Sequence, residues 1–165
     1  MKTWRIWTFV GFAVVVLAFA AIVLALWNDL TGEWKAERSL AVYALNHSSL
    51  ETITSHSVYT GPGGPLQVYV GRDAFNQTSV AFVSNAKTVI SIPMHDLISK
   101  RQAILDAERY SIHPIDESLG YLDAKGQSYF RTKSTYVWEI TYFVGSKYAY
   151  LYLDATNGSL VWRTP

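Results

Sequence analysis

The chain has 165 residues, 14 basic and 13 acidic, for a net charge of +1, and half of it is apolar or aromatic. There is no cysteine, which excludes a disulfide framework and thiolate chemistry. No charge run exceeds two residues, so the concentrated basic patch of a nucleic-acid surface is missing and no nucleic-acid partner is expected.

Ile6 to Trp27 reads IWTFVGFAVVVLAFAAIVLALW, without charge or proline. Its 22 residues, as a helix rising about 1.5 Å each, reach roughly 33 Å, enough for a hydrocarbon core of about 30 Å. Trp4, Trp7 and Trp27 stand at its ends, where amphipathic rings favour the headgroup layer. Ala18-Phe19-Ala20 has the small-x-small form of a signal-peptide cleavage site. Cutting there would leave AIVLALW as an apolar new terminus, and the run exceeds the usual ~7–15-residue apolar region of a signal. The expectation is an uncleaved single-pass anchor over 6–27, with residues 1–5 as a cytoplasmic stub. Lys2 and Arg5 precede the run, while Asp29 and Glu33 follow it. That bias places the N-terminus in the cytoplasm and the C-terminal bulk outside the cell membrane. This bulk carries 12 basic and 13 acidic residues, and its lack of cysteine fits a bacterial exterior.

Residues 28–33 form a linker containing Thr31-Gly32-Glu33. Trp34 to Leu45 has apolar residues at helical spacing. Four strand-like runs follow, Ile53–Tyr59, Leu66–Gly71, Thr78–Val83 and Thr88–Ile92. Gly61-Pro62-Gly63-Gly64-Pro65 between the first two is a hairpin loop. It lacks the Lys-Ser/Thr of a phosphate loop, and its prolines remove amide donors.

After Pro93 the order repeats. Asp96 or Ser99 caps a helix running to about Tyr110. His113–Leu122 is an extended stretch, Asp123–Gly126 a turn and Ser128–Arg131 a short strand. Thr135–Val144 and Tyr148–Asp154 are the clearest strands, and Ser159–Arg163 is the last. Arg38 and Arg101 take similar places in the two helices, 63 residues apart, which reads as an internal duplication. Each half of about 65 residues has a marginal core alone, so the halves should pack together. The fold class is α+β: an N-terminal transmembrane helix and two tandem units, 34–93 and 94–165, each a helix packed on an antiparallel sheet.

In YAYLYLD the alternation assigns faces. Ala149, Leu151 and Leu153 point one way, toward the helix, and Tyr148, Tyr150 and Tyr152 the other. Trp138, Ile140 and Tyr142 oppose Val137, Glu139, Thr141 and Phe143 in the preceding strand. The tyrosine row is either cross-strand packing or a partner-binding patch, since tyrosine joins apolar area to a hydrogen-bonding tip.

WEITYF followed by KYAYLYLDATNGSLVW, Trp138 to Gly158 at its centre, resembles the close of a PepSY-type module. The layout of one anchor and two small cystatin-like units is similar to the TseB-like (YpmB-like) cell-wall elongation regulators of Gram-positive bacteria. The resemblance implies a non-enzymatic, membrane-anchored, extracytoplasmic regulator of peptidoglycan synthesis that binds a transpeptidase penicillin-binding protein. An alternative is a PepSY-like inhibitor or chaperone of an extracellular peptidase.

Reactive constellations are missing from the pattern. His47, His56, His95 and His113 have no ligand spacing, so no metal and no cofactor are expected. His95-Asp96 and Asp116-Glu117 are neighbours only in sequence, and no G-x-S-x-G or S-x-x-K frames a serine. No catalytic residues and no small-molecule substrate are expected.

Overall fold

The computed structural model describes residues 16, 19–24 and 37–164. Most of the expected anchor, its stub and the linker lie outside the described residues. Val16 and residues 19–24, within the apolar run, are helical. Among the described residues no helix is long and apolar enough to cross a membrane.

From Leu40 onward the chain forms one compact unit. It holds two four-stranded antiparallel sheets of identical up-and-down order. The first contains β1 (Leu50–Tyr59), β2 (Leu66–Asp73), β3 (Thr78–Ser84) and β4 (Val89–Pro93). The second contains β5 (Asp116–Tyr121), β6 (Tyr136–Val144), β7 (Lys147–Asp154) and β8 (Leu160–Arg163). A helix precedes each, α1, whose described part covers residues 37–47, and α2 at Lys100–Glu108. Arg38 lies in α1 and Arg101 in the first turn of α2. Ser99 is the cap of α2, its hydroxyl accepting from the Gln102 amide at 3.2 Å.

The central strands of the first sheet, β2 and β3, are covered on both faces. Tyr69, Ala81 and Val83 point toward α1, where they meet Leu50, Ala44 and the half-buried Leu40, Ala41 and Leu45. Leu66, Val68, Val80 and Phe82 point the other way, into a core shared with the second half. Burial on both faces explains why β3 reads SVAFV without polar alternation. The halves therefore pack together, as their small size demands. Phe82 meets Tyr121 and Tyr136, with ring centroids 6.2 and 5.8 Å away. Tyr59, fully buried at the end of β1, reaches over Gly120 of β5.

In the second sheet the aliphatic face meets α2 as expected. Ile140, Leu151 and Leu153 are fully buried with Ala103 and Ala107, and Trp138 donates its indole N–H to the Ile98 carbonyl at 3.1 Å. Each such aliphatic side chain contributes about 1.5–3 kcal/mol on burial.

One stretch departs from expectation. Asp123–Gly126 is not a free turn and Ser128–Arg131 is not a strand: Ala124–Phe130 is a helix, α3. Asp123 is its N-cap, accepting from the Gly126 amide at 2.8 Å, and Arg131 closes it in the left-handed conformation at φ 54°. Gly126, which reads as a breaker, is required by packing. A Cβ there would lie 2.8 Å from the Pro62 carbonyl oxygen. Asp123→Ala should cost about 1 kcal/mol through the lost cap, measurable as a lower urea midpoint at unchanged slope.

Candidate functional site

The second sheet's other face carries the tyrosine row, and α3 lies across one end of it. β6 and β7 are joined by the two-residue loop Gly145-Ser146, so their register pairs Phe143 with Tyr148, Thr141 with Tyr150 and Glu139 with Tyr152. The three tyrosines share this face but not one environment. Tyr148 is 63% exposed and stacks on the exposed Phe143, centroids 5.0 Å apart. Tyr150 is 36% exposed, at the mouth of a cleft. Tyr152 is 5% exposed and forms part of the cleft wall, its ring 4.5 Å from Phe130 and 5.9 Å from Trp162.

The cleft has a volume of about 530 Å³. It opens between the face of the sheet, α3 and the β1–β2 loop. Glu139, Tyr150, Tyr152 and Trp162 come from the sheet, Lys125, Tyr129 and Phe130 from α3, and Thr60 to Gly64 from the loop. The loop lies here because Tyr59 anchors its start in the shared core and Gly126 lets its backbone approach α3.

Glu139 is the chemical centre of the cleft. It is 5% exposed. The Tyr152 hydroxyl donates to its Oε2 at 2.6 Å, and Ser118 Oγ reaches Oε1 at 3.5 Å. Burial raises the carboxyl pKa above the ordinary value, and the nearby Asp116 adds to this. Hydrogen bonds from Tyr152, Ser118 and Thr60 pull it partly back. Among the described residues no lysine, arginine or histidine forms an ion pair with it. The Tyr152 hydroxyl is held in its protonated form, chiefly by burial and then by its bond to Glu139. Tyr59 lies close by, its hydroxyl buried without a hydrogen-bond partner among the described residues and its pKa raised by burial and by the charges of Glu139 and Asp123.

Asp154, at the far end of the row, has the opposite environment. Desolvation raises its pKa, but hydrogen bonds from Ser134, Thr156 and the Asn157 backbone outweigh that and leave it lowered. Its Oδ1 accepts from the Thr156 amide at 2.8 Å, holding the turn into β8. Among the described residues no group of three histidine, aspartate or glutamate side chains is placed to hold a metal ion.

Sequence reading missed Glu139, Phe130, Trp162, Tyr129 and the loop as parts of one site. For Glu139 a signal existed. Counting back from Gly145-Ser146 pairs Val144 with Lys147 and therefore Glu139 with Tyr152. Phe130 and Tyr129 had none, because their stretch reads as turn and strand.

No protein-family model matches the chain, and no curated protein matches it. Among solved structures, the YpmB protein from Bacillus subtilis has a similar fold. The TM-score is 0.59 at 17% sequence identity, over 78% of this chain and 96% of that one. What this likeness establishes is that the chain has a YpmB-like fold.

Proposed function

We propose that this protein is a non-enzymatic, membrane-anchored, extracytoplasmic regulator of cell-wall elongation that binds a transpeptidase penicillin-binding protein. In this reading the two halves are cystatin-like units, the second of PepSY type. Residues 6–27 cross the cell membrane once, with the N-terminus in the cytoplasm. The observation that carries it is the aromatic face of the second sheet, where Phe143 and Tyr148 stand exposed and Tyr150 leads into the cleft. Exposed aromatic area beside a concave site is what a protein partner uses, and such residues dominate binding energy. The YpmB-like fold and the apolar run support the same reading.

Tethering strengthens a modest contact. A domain held at the membrane surface meets other anchored proteins at raised effective concentration. The test is co-purification of the full-length chain from solubilised membranes, with penicillin-binding proteins marked by fluorescent penicillin. The expected result is one labelled transpeptidase retained by the wild type. Tyr150→Ala should reduce its retention about tenfold, the size of a moderate contact residue, with an unchanged melting temperature. No labelled protein in the eluate, together with unaltered cell width on deletion, would contradict the reading.

A further inference from the structure

We infer that the cleft receives a single basic side chain, lysine or arginine, presented by the partner protein. This rests on the partner-binding role proposed above and names what that partner offers. Three features of the site lead to it.

The first is charge. Glu139 is a carboxylate almost wholly withdrawn from solvent, with hydroxyl donors on its oxygens and no ion-pair partner among the described residues. Buried carboxylates are ordinarily paired. Another acid, Asp116, acts on it, so a positive group entering the cleft meets a carboxylate that no cation among the described residues pairs. Lys125 stands at the solvent-exposed rim.

The second is the lining. Tyr129, Phe130, Tyr152 and Trp162 form a continuous aromatic wall, consecutive centroids 5.3, 4.5 and 5.9 Å apart. Aromatic faces around an acid are the surroundings in which ammonium and guanidinium groups bind best. The rings also accept the aliphatic stem of such a side chain.

The third is continuity and size. Tyr150 lines the cleft and shares its sheet face with the exposed Tyr148 and Phe143, so an occupant can be a projection from a protein lying on that face. Its volume, about 530 Å³, lies within the ~300–1,000 Å³ of ligand-sized clefts, which leaves room for a side chain and the backbone that carries it.

The test uses the full-length chain in lipid nanodiscs with isotope-labelled tryptophan, following the indole N–H resonances. The probes are N-acetyl-lysine N-methylamide, its arginine counterpart and the neutral isostere N-acetyl-norleucine N-methylamide. The Trp162 resonance should shift saturably with both basic probes, at a midpoint on the order of millimolar. The norleucine probe should bind at least about tenfold more weakly. Glu139→Gln should bring the lysine probe down to the norleucine level. The Trp138 resonance, bonded to Ile98 on the opposite face, should meanwhile stay in place and report an intact fold. Should that variant unfold, Tyr129→Ala decides instead: its side chain is 66% exposed, and its removal should weaken the lysine probe about threefold or more through the lost ring face. Equal binding of lysine and norleucine probes, or no saturable shift with either base, would overturn the inference. Continued co-purification of the transpeptidase in that event would leave the partner-binding role standing.

Discussion

Gly120→Ala should destabilise the protein by about 1–3 kcal/mol, and the loss should largely disappear when Tyr59 is shortened. A Cβ on Gly120 would run into the Tyr59 ring. That ring is fully buried in the core shared by both sheets, so it has little room to retreat. Tyr59→Ala alone should cost about 3–5 kcal/mol, as for other buried aromatics. In the double variant the new methyl group at position 120 enters the vacated space. The combined cost should therefore fall short of the sum by more than about 1 kcal/mol, a coupling readable from urea unfolding of the four proteins. Strict additivity would show that Tyr59 does not join the sheets as described. Tyr59→Phe provides a control of opposite sense. Its hydroxyl is buried without a partner among the described residues, so removing it should be neutral or mildly stabilising.

Tyr152→Phe should destabilise the protein by about 1.5–3 kcal/mol at neutral pH, the range for a hydrogen bond to a charged group. Its pH dependence identifies the acid involved. Glu139 has a raised pKa in the folded state, so the fold holds that proton to higher pH than the unfolded chain does. Its contribution to stability is thus most favourable below the unfolded value, near 4.5, and declines as pH rises through the folded value. The Tyr152 bond pulls the folded pKa down, so losing it steepens the decline. The difference between wild type and Tyr152→Phe should be small near pH 4 and grow toward neutrality. Asp154 works in the other direction, since its lowered pKa gives stability above about 3.8 that is lost on acidification. That term is present in both proteins and cancels in the difference. In a Glu139→Gln background the effect of Tyr152→Phe should lose its pH dependence. A difference that stays constant from pH 4 to pH 8 would show that Glu139 is not the group responsible.

The two sheets and their helices were largely legible in the amino-acid order. Alternation in KYAYLYLD gave the faces of β7, and clustered glycine and proline placed the β1–β2 hairpin. The burial of Tyr152 was not legible, because it depends on α3, a seven-residue helix too short for periodicity to declare itself. Its Gly126 is retained for close packing against Pro62 rather than for a turn. The cleft is likewise invisible to local reading, since it joins the loop after β1 to residues more than sixty positions later. Sequence order therefore grouped Tyr148, Tyr150 and Tyr152 as one row. Tertiary packing divides them into an exposed pair and a buried partner of Glu139.

Photocrosslinking in intact cells tests the central claim most directly. A photoreactive phenylalanine is placed at Tyr150 in one strain and at Phe75, an 83% exposed position in the β2–β3 turn, in another. The account predicts an adduct from position 150 that contains a membrane transpeptidase able to bind fluorescent penicillin, and none from position 75. Adducts from position 150 with cytoplasmic proteins only, or the same adduct from both positions, would contradict it.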